Sequence, residues 1–195
     1  YAKRLGGIFN DYSHAIVYDG IGNIYVIGYN SDSTRAFISK FSSDGTFQWA
    51  KCLGGTQITF FDKEYSIGCD VNGNIYVTGL VNGVADFNGD GDTNDAGESS
   101  VYGKYDVFIT KFDTDGNHQW SKRLGGTEYD YGKSITCDKS GNIYVTGSVY
   151  GEADLNGDGD IDDIGEFLET IDLTKYGLLD IFISKFSTDG TVLQF

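Results

Sequence analysis

Gly73-Asn-Ile-Tyr-Val-Thr-Gly79 decides the fold, because it occurs three times. It appears first as Gly22-Asn-Ile-Tyr-Val-Ile-Gly28 and last as Gly141-Asn-Ile-Tyr-Val-Thr-Gly147. A short run of β-branched and aromatic residues entered through a Gly-Asn turn reads as one arm of a hairpin. Other segments repeat in step with it. Tyr1-Ala-Lys-Arg-Leu-Gly-Gly7 returns as Trp49-Ala-Lys-Cys-Leu-Gly-Gly55 and Trp120-Ser-Lys-Arg-Leu-Gly-Gly126. Phe37-Ile-Ser-Lys-Phe41 returns as Phe108-Ile-Thr-Lys-Phe112 and Phe182-Ile-Ser-Lys-Phe186, each followed shortly by Asp-Gly. The terminal Gln194-Phe195 aligns with Gln48-Trp49 and Gln119-Trp120. Repetition on this scale indicates an array of like units, here 1–48, 49–119 and 120–195.

Each unit reads as four short strands. In the second they run through Ser66–Asp70, Ile75–Thr78, Val107–Phe112 and Gln119–Leu124, with turns at Gly73-Asn74 and Asp115-Gly116. No stretch sustains a helical period, and Phe167–Leu173 is expected to form one short turn at most. The middle strands are apolar on both faces, as in a sheet packed between two others. The expected fold is therefore all-β: three four-stranded antiparallel sheets, each a β-propeller blade. Propellers close with about four to eight blades, so three units imply a larger or oligomeric ring. We expect a piece of a longer propeller, with a two-chain six-bladed ring or a head-to-tail filament as alternatives. In these, residues 1–7 donate the missing fourth strand, because open strand edges invite pairing.

The chain has 195 residues with 28 Gly and no Pro, and a formal charge of −15. That charge argues against nucleic acid or an anionic membrane surface as partner. The apolar runs are too short to span a bilayer. Eleven of the 29 acids fall in two windows, 86–98 and 154–166, carried by the insertions that lengthen the second and third units. Carboxylates at this density repel unless a counter-charge sits among them. The windows open alike, as Asp86-Phe-Asn-Gly-Asp-Gly-Asp-Thr-Asn94 and Asp154-Leu-Asn-Gly-Asp-Gly-Asp-Ile-Asp162. Oxygen-bearing side chains at positions 1, 3, 5 and 9, with Gly at 6, follow the start of a calcium loop, in which the glycine lets alternate donors converge. The expected ligands are Asp86, Asn88, Asp90, Asn94 and the Asp92 carbonyl in the first loop. In the second they are Asp154, Asn156, Asp158, Asp162 and the Asp160 carbonyl. Either Glu98 and Glu166 or Asp95 and Asp163 complete the two shells.

The pattern Trp-x-Lys-x-Leu-Gly-Gly-Thr, Gly-Asn-Ile-Tyr-Val-Thr-Gly and Phe-Ile-x-Lys-Phe resembles the bacterial β-propeller repeat of the SBBP type, and more loosely the NHL type. The resemblance implies one blade per unit and a home in secreted or surface proteins. The acidic loops resemble those in the propeller of integrin α subunits and the start of an EF-hand. They depart from the EF-hand at position 12, which is Gly97 or Gly165. The expected protein is a non-enzymatic, calcium-stabilised extracellular module with two Ca2+ sites. It would serve as a scaffold, an adhesion unit or a binder of protein or carbohydrate, with the two loops as stiff projections. Alternatives are a self-assembling structural subunit and a propeller enzyme acting on glycans.

Unrepeated His14 and His118 lack a nucleophile motif, and Cys52, Cys69 and Cys137 lack metal spacing. Recurring Asp19, Asp70 and Asp138 are expected to bond turn N–H groups. Lys40, Lys111 and Lys185 are expected to pack their stems and carry the ammonium to the blade edge.

Overall fold

The computed structural model describes residues 2, 4, 6, 8, 10–30, 35–55, 64–95, 97–161, 163 and 179–195. Phe167–Leu173 lies outside them, as do Tyr1, Lys3, Leu5 and Gly7 of the expected donor strand. The described residues form thirteen strands and no helix. No helix among them is long and apolar enough to cross a membrane.

Strands β1 (Asp11–Tyr18), β2 (Asn23–Asn30), β3 (Ala36–Ser42) and β4 (Phe47–Gly55) pair in chain order as an antiparallel meander, the first blade. The second blade repeats it with β5 (Tyr65–Cys69), β6 (Ile75–Val81), β8 (Asp106–Phe112) and β9 (His118–Gly126). The third has β10 (Tyr131–Cys137), β11 (Ile143–Tyr150) and β13 (Leu179–Phe186), followed by a single bridge from Phe186 to Val192 where a fourth strand starts. Two short strands, β7 (Ala85–Asp86) and β12 (Ala153–Asp154), leave their own blades to pair with β4 and β9. Sheet and repeat are offset by one strand, since Trp49, the first residue of the second unit, pairs with Lys40 of β3.

The hydrophobic core lies between blades. One cluster joins Tyr25, Ile27 and Ile38 of the first blade to Ile67, Val77 and Phe108 of the second. The other joins Tyr76, Val107 and Ile109 of the second to Ile135, Val145 and Phe182 of the third. Strands β6 and β8 are accordingly buried along their whole length. The glycine ending each Gly-Asn-Ile-Tyr-Val-x-Gly stretch admits the neighbouring strand. A Cβ on Gly28 would stand 2.2 Å from the Tyr12 carbonyl oxygen.

The recurring aspartates cap the β1–β2 type of turn as expected. Asp70 Oδ1 accepts the N–H groups of Asn72 (2.9 Å) and Asn74 (3.0 Å), and Oδ2 accepts the Tyr76 hydroxyl (3.0 Å). Asp19 and Asp138 do the same for the other two blades.

The recurring lysines go further than the blade edge. Lys40 Nζ donates to the Thr114 carbonyl (2.5 Å) in the Asp-Gly turn of the next blade, and Trp49 Nε1 donates to the same oxygen (3.3 Å). The junction recurs, with Lys111 Nζ and Trp120 Nε1 reaching the Thr188 carbonyl at 2.6 and 3.1 Å. Each lysine lies over the tyrosine of its own blade, Tyr25 at 5.7 Å and Tyr76 at 5.5 Å. The turn glycines, Gly116 and Gly190, have φ of +84° and +86°, and a Cβ on either would press on the tryptophan at 3.0–3.1 Å. A charged donor, an indole and a flat glycine surface thus clamp each blade to the next.

Lys111→Met should remove a charge-assisted hydrogen bond, worth about 1.5–3 kcal/mol, lowering the urea midpoint at unchanged slope. A second expectation concerns acid. Asp44 and Asp189 are held down to about 2 by the hydroxyls of Ser42 and Ser187 and the N–H groups of Thr46 and Thr191. Unfolded Asp titrates at about 3.9, so their stabilisation is complete above that pH and is lost as pH falls toward 2. Acid unfolding followed by tryptophan fluorescence should show this loss, and Asp189→Asn should diminish it.

Candidate metal centres

Each acidic loop is anchored to two blades. The first starts in β7, which pairs Asp86 with Gly54 and Ala85 with Gly55 of the preceding blade's Leu-Gly-Gly segment. The second pairs Asp154 with Gly125 and Ala153 with Gly126. On their own blades, Thr110 Oγ1 donates to the Phe87 carbonyl (2.9 Å) and Ser184 Oγ to the Leu155 carbonyl (2.6 Å). Gly89 lies against the backbone of Cys52 and the stem of Lys51, and Lys122 Nζ donates to the Gly157 carbonyl (3.1 Å). The sequence suggested projections; the described parts of the loops instead lie back along the preceding blade's outer strand.

Within the loops, Asp86 and Asp154 are buried and organise the backbone. Asp86 accepts from Gly89 N–H (2.5 Å) and Gly91 N–H (3.0 Å), and Asp154 accepts from Gly157 N–H (2.5 Å) and Gly159 N–H (2.8 Å). A run of side-chain turns follows: Asn88 Oδ1 accepts from Asp90 N–H (2.8 Å), Asp90 Oδ1 from Asp92 N–H (3.0 Å) and Asp92 Oδ1 from exposed Asn94 N–H (2.9 Å).

These turns bring Asp90, Asp92 and Asp95 together, one carboxylate oxygen from each lying within 4.8 Å of the others. Asp158, Asp160 and Asp163 form the same triad in the second loop. Asp92 and Asp160 enter through their side chains, where the sequence pattern had used their carbonyls. Asn88 Nδ2 sits between two of the acids, donating to Asp90 (3.1 Å) and Asp95 (2.5 Å), and Asn156 does so to Asp158 (3.2 Å) and Asp163 (2.6 Å).

Glu98 stands apart from the triad. It is buried, and it accepts from Phe87 N–H (2.7 Å), Asn88 N–H (3.3 Å) and Asp95 N–H (3.3 Å), fastening the end of the loop to its start. Burial pushes its carboxyl up, against the pull of these N–H groups. Asp162 and Glu166 lie outside the described residues. Three exposed carboxylates brought together are hard oxygen donors, suited to an oxygen-seeking divalent cation.

A buried ion pair that the sequence reading does not contain lies at the root of the first loop. Arg123 Nη1 donates to Asp106 Oδ2 (3.0 Å), Nη2 donates to the Gly83 carbonyl (2.8 Å), and the guanidinium lies 5.3 Å from the Phe87 ring centre. The equivalent of Arg123 in the first blade is Cys52, so the pair is not common to all blades. Nearby, buried Asp130 accepts from Gly126 N–H (2.6 Å) and Tyr150 N–H (2.9 Å), tying the second blade to the third.

His14 is exposed and rests against Tyr29 and Tyr65. His118 bonds Ser121 Oγ at 2.8 Å, and burial lowers its basicity. All three cysteines are free thiols, Cys52 exposed and the others half-buried.

Repeated antiparallel blades with cores between them make this a β-propeller repeat protein. Residues 119–151 match the SBBP β-propeller repeat model. The chain is 27% identical over 94% of its length to a WD repeat-containing protein of Acanthamoeba polyphaga mimivirus, of which it spans 13%. It is 28% identical over 77% of its length to the regulatory protein FlaEY of Caulobacter vibrioides, of which it spans 14%.

Arg123→Met leaves Asp106 buried without its cation and should cost about 3–5 kcal/mol. Asp106→Leu added to it should recover most of that loss in a denaturant titration.

Proposed function

We propose that the chain is a non-enzymatic scaffold module of a secreted or cell-surface β-propeller protein, stabilised by two calcium ions. The observation that carries this reading is the duplicated triad, Asp90-Asp92-Asp95 and Asp158-Asp160-Asp163. A cation held by each triad would offset the mutual repulsion of its carboxylates, to which the Asn88 and Asn156 amides already donate. Calcium accepts about six to eight oxygens in flexible geometry, which suits side chains on a loop better than the strict octahedron of magnesium. Each loop spans two blades, so the ion would lock one blade onto the next. Extracellular calcium is abundant enough to keep even a weak site filled.

The names of the two relatives, one WD repeat-containing and one regulatory, favour a binding role over catalysis. The surface offered is the face carrying the two loops and the Leu-Gly-Gly segments, for a protein or carbohydrate ligand.

Calorimetric titration should give two calcium ions per chain. Binding that favours the folded state stabilises by RT ln(1 + [L]/Kd), about 2.7 kcal/mol at a hundredfold excess over Kd. Millimolar calcium should therefore raise Tm, and chelation should reverse the rise. Asp95→Asn with Asp163→Asn should abolish it, and equal magnesium should reproduce little of it. An unchanged Tm with no binding heat would refute the calcium reading.

A further inference from the structure

The joint between the second and third blades buries more negative charge than its cation matches. Asp106, Arg123 and Asp130 are 1%, 2% and 0% exposed, so two carboxyls share one guanidinium. Arg123 Nη1 and Tyr102 N–H both donate to Asp106 Oδ2, at 3.0 and 3.3 Å. The other oxygen, Oδ1, is buried and has no hydrogen-bond partner among the described residues. Both oxygens of Asp130 are engaged, Oδ2 by Gly126 N–H and Oδ1 by Tyr150 N–H. The Asp130 N–H donates to the Tyr105 carbonyl (2.8 Å), next to Asp106 in the chain.

The orphan oxygen meets Asp130 over Gly125. A Cβ there would stand 3.2 Å from Asp106 Oδ1 and 2.6 Å from Asp130 Oδ2, so only a residue without a side chain lets the two carboxyls come together. Like charges buried side by side disfavour ionisation of one of them, and a buried acceptor left unpaired carries its desolvation cost. One proton answers both. On Asp130 Oδ2 it would donate to Asp106 Oδ1, leave a lone pair for Gly126 N–H, and keep Asp106 ionised beside Arg123.

The surroundings agree. Burial pushes both carboxyls up: Asp106 against the pull of Arg123 and backbone N–H groups, Asp130 against Gly126 and Tyr150 N–H, with the charges of Asp106 and Glu128 adding to the push. The Tyr102 phenol, near Arg123 and Asp106, is itself pushed up by burial. Glu128 pairs with Lys104 at the surface (2.6 Å). Asp154, whose backbone pairs with Gly125, turns its carboxylate to Gly157 and Gly159 N–H. Among the described residues none of these brings a second cation to the pair.

We propose that Asp130 and Asp106 share one proton in the folded chain, and that this carboxyl–carboxylate bridge joins the second blade to the third until rising pH removes it. Asp106 opens β8, and Asp130 ties Gly126 of β9 to Tyr150 of β11, so the proton sits where the blades meet. Through Tyr102 N–H it also reaches the end of the first acidic loop. The inference rests on the buried cluster and not on calcium, so failure of the calcium titration leaves it standing, and the reverse.

Unfolded Asp ionises near 3.9. Above that pH the folded chain keeps a proton that the unfolded chain has released, so the folding equilibrium constant should fall by up to about tenfold per pH unit until the pair ionises. The direction is opposite to that of Asp44 and Asp189. Carboxyl 13C resonances of the wild-type chain should show the pair, titrating as a unit, still protonated near pH 6. Asp106→Asn offers a permanent N–H where Oδ1 stands and keeps an oxygen for Arg123 and Tyr102 N–H. Urea titrations at fixed calcium should show this variant gaining on the wild type, by up to about tenfold in folding constant per pH unit, from about pH 4 to the pair's ionisation. Glu98 and Asp154, also pushed up by burial, are present in both chains and cancel in the comparison. Asp130→Asn should likewise remove the high-titrating signal, and it serves if Asp106→Asn fails to fold. A wild-type spectrum with every Asp ionised by about pH 5 overturns the proposal, as does a pH slope that is the same in wild type and variants.

Discussion

One carbonyl per blade carries the architecture. Thr114 and Thr188 sit at the tip of the Asp-Gly turn, and each accepts both a lysine ammonium and an indole N–H from the blade before it. The bond is short, charge-assisted and shielded by aromatic rings, conditions under which a hydrogen bond contributes more than in water. The turn must be flat for the indole to lie on it, which demands glycine at 116 and 190. The lysine must stay over its own tyrosine, which in turn is held by the capping aspartate. Aspartate, tyrosine, lysine, tryptophan and glycine thus repeat together because they are one device.

Much of this was legible in the sequence. The strands follow from alternation and turn residues, and the capping role of Asp19, Asp70 and Asp138 follows from their place before a tight turn. The lysines were legible only in part. Their acceptor is a backbone carbonyl 74 or 77 residues away, and a backbone atom leaves no trace in residue identity. The same reason hid the course of the acidic loops, whose return to the preceding blade is a pairing of Ala-Asp backbone with Gly-Gly backbone. Arg123 and Asp106 escaped notice for another reason: their strands differ at these places in the first blade, where Cys52 and Arg35 stand, so the pair is not a feature of every blade.

The acidic loops show how far spacing alone carries. It named candidate donors and left Glu98 and Asp95 as alternatives to complete the shell. The fold separates them by burial: Glu98 turns inward to three N–H groups, and Asp95 joins the exposed carboxylates. An acid surrounded by backbone donors serves the loop, whereas acids gathered at the surface repel unless something positive arrives.

The one-strand offset between repeat and sheet bears on how such chains grow. A duplicated unit carries the last strand of one sheet and the first three of the next, so a new copy cannot be accommodated as a separate bead. It is woven into both neighbours from the start, and it brings a lysine, an indole position and a turn glycine already in phase. Lengthening the array by whole units therefore preserves every junction, while a cut between units leaves the preceding sheet short of its outer strand. Every unit added in phase brings its own joint with it.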